Sequence, residues 1–164
     1  MARLIDPARA LLALALAYVA VSTVGFGIYL LVAELMGHSP WDAVDVRDND
    51  AYQRVATLLP LLNLAVWTGA ARWYFAGRRL RYPAWPLGIS WLAVAVLLDY
   101  LIFIVPDHAL ALDSASFYFG QGPWIYLTYM AVAVSAFLGR WWTEKTHSRV
   151  ERAAQREDEA DAIG

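Results

Sequence analysis

Residues 10–33 read ALLALALAYVAVSTVGFGIYLLVA and contain no charged side chain. An α-helix of this length, rising 1.5 Å per residue, covers the hydrocarbon layer of a bilayer, which is about 30 Å thick. The stretch lacks the short apolar core and small-residue cleavage pattern of a signal peptide, and comparable segments follow it. We therefore predict a membrane-spanning helix from about Pro7 to Met36 that stays in the mature protein.

Three more apolar segments follow, separated by polar or proline-containing sequence. They predict helices over residues 55–77, 86–105 and 123–142. Pro106 ends the third helix, because proline has no N–H to donate, and Pro123 suits the first turn of the fourth. Residues 143–164, TEKTHSRVERAAQREDEADAIG, form a charged, Ala-rich tail, which we expect to extend the fourth helix and to fray. The predicted fold is an all-α membrane protein, a bundle of four transmembrane helices with this tail in the cytoplasm.

The composition of the chain supports this class. Hydrophobic residues make up 60% and charged residues 17% of the 164 positions, whereas soluble domains average about 45–50% and about 25%. Trp and Tyr, which are enriched at membrane interfaces, occur 8 and 9 times. The absence of cysteine excludes disulfides, thiolate metal sites and Fe–S clusters.

The distribution of basic residues predicts the orientation. The two termini and the turn RRLRYP (residues 78–83), taken with Arg72, carry 11 Lys and Arg residues, and the two other loops carry only Arg47 and Arg54. Lys and Arg are enriched in cytoplasmic segments. We therefore expect both termini in the cytoplasm and the protein in the cell membrane as a multi-pass chain.

Ionisable and polar side chains inside spanning helices are costly, so they are the candidates for function. Asp99 falls in the outer half of the third predicted helix, and Glu34 falls near the outer end of the first. Asn63 in the second helix and Tyr126 and Tyr129 in the fourth fall at similar depth. These five residues predict a polar pocket that opens outward and binds a small ligand or cation.

Helical spacing indicates which faces turn inward. Two sets of residues each share one helix face: Ala20, Thr23, Gly27 and Glu34, and Gly88, Leu92, Ala95 and Asp99. Small residues mark faces where transmembrane helices pack closely, so we expect both sets to face the bundle. The alternative is that Glu34 reaches the headgroups and Asp99 only locks the helices together by hydrogen bonding.

The outer loop WDAVDVRDND (residues 41–50) places Asp42, Asp45, Asp48 and Asp50 within nine residues. Their spacing does not match an EF-hand, and the glycine and terminal glutamate of that motif are missing. A solvated acidic loop is therefore favoured over a loosely bound divalent cation. We expect no metal site.

The remaining signals exclude several cofactors and reactions. The three histidines, His38, His108 and His147, lie outside the predicted spans, so the ligands of a membrane haem are missing. The single lysine, Lys145, lies in the tail, which excludes a retinal Schiff base. No hydrolase, zinc-protease or nucleotide-binding fingerprint is present. We expect no cofactor, no catalytic residue and no nucleic acid partner.

Three classes of function agree with these features. The favoured one is binding or transport of a small ligand or cation through the outward pocket. The alternative is an accessory or assembly subunit, whose partner in the membrane is another protein or a second copy of the chain. A lipid-modifying enzyme with a carboxylate as acid or base is the third. In each case membrane lipids surround the chain.

Overall fold

The computed structural model describes residues 5–37, 49–76, 80–105 and 114–163. Within these ranges every regular element is helical, which confirms the all-α class. The four α-helices are α1 (Pro7–Leu35), α2 (Asp50–Phe75), α3 (Ala84–Asp99) and α4 (Trp124–Ile163). A π-helical turn, Tyr100–Ile104, continues α3, and a second one, Ser116–Gly120, precedes α4.

Three helices in the described part of the chain are long and apolar enough to cross a membrane: α1, α2, and α3 extended to Ile104. This pattern is typical of an integral membrane protein. Helix α4 is not among the three, and its first half contains polar groups such as Thr128, Ser135 and Arg140 between the apolar residues.

Capping residues explain where the first two helices begin. Asp6 caps α1 by accepting a hydrogen bond from the backbone N–H of Arg9 at 3.4 Å, and Pro7 follows as the first helical residue. Asn49 accepts from the backbone N–H of Tyr52 at 2.9 Å. Because of this cap, α2 begins at Asp50 and not near residue 55 as predicted.

Helix α4 continues beyond Trp142, the predicted last residue of the span, and so confirms that the tail extends the helix. It runs without a break to Ile163, so the described part of the tail belongs to the same helix. The tail is rich in Ala, Glu and Arg, which favour helices. Arg140 and Glu144, four residues apart, form an ion pair 2.8 Å long, which stabilises the helix on both sides of Trp142.

Aromatic side chains of α2 and α3 fill the centre of the core. The rings of Trp67 and Trp91 lie 5.3 Å apart, and each residue is only 1% exposed. The indole N–H of Trp91 donates to the carbonyl oxygen of Ala10 in α1 at 3.0 Å. These two residues therefore join α1, α2 and α3 by packing and hydrogen bonding.

Two glycines allow α4 to approach its neighbours closely. A Cβ atom at Gly139 would lie 2.4 Å from the Cβ of Ala71 in α2, and one at Gly88 in α3 would lie 2.7 Å from the carbonyl oxygen of Ala133 in α4. No larger residue fits at either position without moving a backbone. The predicted inward face of the third helix, which includes Gly88, is confirmed at this position.

The predicted inward face of the first helix is wrong. Thr23, Gly27 and Glu34 are exposed, and a Cβ atom at Gly27 would meet nothing within 4 Å. The buried residues of α1 include Ala10, Ala13, Leu14, Ala17, Gly25 and Ala33. Small residues occur on both sides of α1, so their presence does not identify the side that packs.

Candidate functional site

The carboxylate of Asp99 joins three helices. Its Oδ1 accepts a hydrogen bond from the hydroxyl of Tyr18 in α1 at 2.6 Å, and its Oδ2 accepts one from the hydroxyl of Tyr129 in α4 at 2.8 Å. All three side chains are partly buried. A polar cluster formed by Tyr18, Asp99 and Tyr129, called the Asp99 cluster below, therefore lies where α1, α3 and α4 meet.

The backbone changes its geometry next to this carboxylate. Asp99 is the last residue of α3, and the π-helical turn begins at Tyr100, where the backbone N–H of Val105 donates to the carbonyl oxygen of Tyr100 at 3.1 Å. Single π turns within helices occur frequently at functional sites. The rings of Phe103 and Phe117 stack at 5.9 Å and join this turn to the second π-helical turn.

Two more tyrosines lie close enough to Asp99 to experience its charge, Tyr52 of α2 and Tyr118 of the second π-helical turn. Burial, followed by the charge of Asp99, raises the pKa of the Tyr118 phenol above its usual value. That hydroxyl therefore keeps its proton at neutral pH. All four α-helices and one π-helical turn contribute to the surroundings of a single carboxylate.

No basic side chain of the described residues balances the carboxylate of the Asp99 cluster. Among the described residues no lysine, arginine or histidine pairs with Asp99; the groups that act on it are the hydroxyls of Tyr18 and Tyr129. Burial disfavours the ionised form of a carboxylate, whereas hydrogen bonds from hydroxyls favour it without supplying a positive charge. A cation bound here would stabilise the ionised form, with oxygen ligands from the carboxylate and the phenols.

Three of the five residues predicted to line the pocket do not belong to this cluster. Asn63 is 4% exposed, and its side-chain amide forms hydrogen bonds only with other residues of α2. The amide nitrogen donates to the Leu59 carbonyl oxygen, and the amide oxygen accepts from the Trp67 indole, each at 2.9 Å. Glu34 is exposed, and Tyr126 is 48% exposed. Of the predicted set, Asp99 and Tyr129 are the two residues that a hydrogen bond joins.

Tyr18 is the residue that sequence reasoning missed. It lies within the uncharged stretch of α1, where it looked like one more aromatic residue of an apolar helix. A signal was present, because the hydroxyl of a buried tyrosine needs a hydrogen-bond partner, and Asp99 was the charged group expected inside the bundle.

Several sequence features lie outside the described residues. They include His38 and His108 and the aspartates Asp42, Asp45 and Asp48 of the outer loop. Within the described ranges, no group of three or more His, Asp or Glu side chains is arranged to hold a metal ion. His147 is exposed on α4.

Comparison of the chain with protein-family models, with curated proteins and with solved structures found no match.

Proposed function

We propose that the chain is a four-span protein of the cell membrane, with both termini in the cytoplasm, that binds or transports a small cation through the Asp99 cluster. The observation that carries the binding proposal is the carboxylate of Asp99. Both of its oxygens accept hydrogen bonds from tyrosines of other helices, and no cationic side chain of the described residues neutralises it.

The surface of α4 supports a fourth span. Its first half exposes large apolar side chains, among them Met130, Val134 and Phe137, and it packs closely against α2 at Gly139. Exposed apolar groups of this size are stable in lipid and unfavourable in water. The excess of 11 basic residues over 2 supports the placement of the termini in the cytoplasm.

A cation at the Asp99 cluster supplies the missing positive charge. A charged group inside a bilayer is unfavourable unless it is paired, so an incoming cation and the carboxylate stabilise each other. The hydroxyls of Tyr18 and Tyr129 hold the carboxylate in place and offer oxygen lone pairs. A metal ion such as Na⁺ and a small amine both fit this chemistry.

The test is a cation panel on the purified full chain. Thermal unfolding is measured in Na⁺, K⁺, methylammonium and tetramethylammonium chloride at constant ionic strength, for the wild type and for Asp99→Asn. A cation that binds the native state raises the unfolding temperature. We expect at least one cation to raise it by several degrees in the wild type and to have no effect in Asp99→Asn.

Glu151→Gln is the matched control. Glu151 is an exposed carboxylate of α4 that lies 22 residues beyond Tyr129, about 33 Å along the helix, so this variant should keep the full response. An equal response of Asp99→Asn and the wild type, or no response to any of the four cations, contradicts the binding proposal.

An accessory or assembly subunit is the second candidate, and the outer face of α1 favours it. Thr23 and Gly27 lie on this face with no described residue against Gly27, and small exposed residues allow another transmembrane helix to approach. In that case the Asp99 cluster only links the helices. We then expect the chain to co-purify with a stoichiometric membrane partner and to show no response to cations.

A further inference from the structure

A shallow recess lies between the end of α2 and the middle of α4, away from the Asp99 cluster. Its volume is about 400 Å³, and Arg72, Trp73, Thr146 and His147 are among the residues that line it. A Cβ atom at Gly69, which also lines the recess, would meet nothing within 4 Å. The recess is therefore open to a group of moderate size.

A second recess of about 260 Å³ lies beside it, also lined by Thr146, together with Lys145 and Arg149. The two recesses are called the paired basic recesses below. The guanidinium of Arg72 lies 4.9 Å from the centre of the Trp142 ring, and the ammonium of Lys145 lies 4.1 Å from that of Trp141. These cation–π contacts favour positions of both cations beside the indole rings.

The charge of this region is positive. Glu144 is the acid on the same turn of α4, and it is paired with Arg140 at 2.8 Å. The positive charges of Arg72, Lys145 and Arg149 are therefore not balanced by Glu144. A negatively charged ligand therefore complements the paired basic recesses.

The surroundings indicate that this ligand is a lipid. Trp73, Trp141 and Trp142 are 42%, 54% and 50% exposed, as is common for tryptophans at the boundary between headgroups and acyl chains. On α4, the apolar side chains of Val134 and Phe137 are exposed one to two turns before Trp141. Acyl chains can lie along this surface while the headgroup occupies the recesses.

We propose that the paired basic recesses bind the phosphate headgroup of an anionic phospholipid in the leaflet on the side of the termini. Arg72 and Lys145 contribute charge-assisted hydrogen bonds to the phosphate oxygens, and Arg149 adds long-range attraction. The exposed apolar surface of α4 receives the acyl chains. This site is separate from the Asp99 cluster and does not depend on cation binding there.

The test uses native mass spectrometry of the full chain released from nanodiscs that contain equal amounts of phosphatidylglycerol and phosphatidylcholine. We expect the wild type to retain phosphatidylglycerol preferentially. One basic residue near an anionic lipid surface changes affinity about fivefold, so Arg72→Gln and Lys145→Gln should each lower the preference by about this factor.

Arg156→Gln is the matched control, because it removes one exposed positive charge from the same helix about ten residues beyond Thr146. Circular dichroism checks that each variant keeps its helical content. Equal preferences in Arg72→Gln, Lys145→Gln and Arg156→Gln overturn the proposal, as does a wild type that retains both lipids equally. Displacement of the lipid by millimolar inorganic phosphate also overturns it, since the site then selects free phosphate and not the lipid.

Discussion

The hydroxyl of Tyr18 donates a 2.6 Å hydrogen bond to Oδ1 of Asp99, which joins α1 to α3 across 81 positions of the chain. Tyr129 binds the other oxygen of the same carboxylate from α4. The position of Asp99 therefore depends on two tyrosines from two other helices. If either hydroxyl is lost, one carboxylate oxygen loses its partner and one link between helices is broken.

Tyr18→Phe should lower the free energy of unfolding by about 1–2 kcal/mol, because a hydrogen bond to a charged group is removed inside the protein. The measurement is thermal or denaturant unfolding of the purified chain in one detergent. Tyr126→Phe is the control: it also removes a tyrosine hydroxyl, but from a residue that is 48% exposed, and it should change the free energy of unfolding little. If both variants unfold at the wild-type temperature, the link between Tyr18 and Asp99 does not stabilise the fold.

Asp99→Leu separates a structural role from a binding role. The change removes the acceptor of the Tyr18 and Tyr129 hydroxyls, so we expect the helices to fold with a free energy of unfolding lowered by about 1–3 kcal/mol. Cation binding should nevertheless be lost, because leucine offers no charge and no oxygen. A variant that keeps a cation response equal to that of the wild type would place the binding site elsewhere.

The close contact between α2 and α4 gives a prediction about packing. Gly139→Ala should destabilise the fold by about 1–3 kcal/mol, since the new methyl group would lie 2.4 Å from the Cβ of Ala71. Gly27→Ala is the control, because nothing lies within 4 Å of that position, and it should unfold near the wild-type temperature. Equal loss of stability in the two variants argues against the close packing of α4 on α2 at Gly139.

The orientation proposed for the membrane is tested with reporter fusions. Fusions within residues 37–54 and 107–122 should report an external position, and fusions within residues 78–82 or after Trp142 should report a cytoplasmic one. We expect this orientation because 11 basic residues lie on the predicted cytoplasmic side and 2 on the other side. An external signal from residues 78–82 contradicts the topology, and an external signal only after Trp142 means that α4 does not span.

Sequence reasoning identified the helices well and the site in part. Uncharged length predicts spanning helices directly, so the predicted bounds of the first helix, about Pro7 to Met36, lie within one residue of α1. The start of α2 depends on the Asn49 cap, which hydropathy does not report. The continuation of α4 follows from the helix propensity of the tail.

The composition of the site was harder to predict. Asp99 stood out because a charge inside an apolar helix is rare. Which side chains meet it depends on the rotation of each helix, and α1 has small residues on both sides. Helical spacing predicts the face with Gly27 as the inward one, whereas the structure buries the face with Ala17. Asn63 was predicted to line the pocket, but its own helix supplies both of its hydrogen-bond partners.

The most direct test of cation binding at Asp99 is a calorimetric titration. The cation with the largest thermal effect is titrated into the wild type and into Asp99→Asn at constant ionic strength, over a series of pH values. We predict saturable binding of one cation per chain in the wild type, with a Kd that rises as the pH falls because protons compete for the carboxylate, and no binding in Asp99→Asn. Saturable binding of equal affinity in both proteins, or no saturable heat in the wild type, would contradict the account.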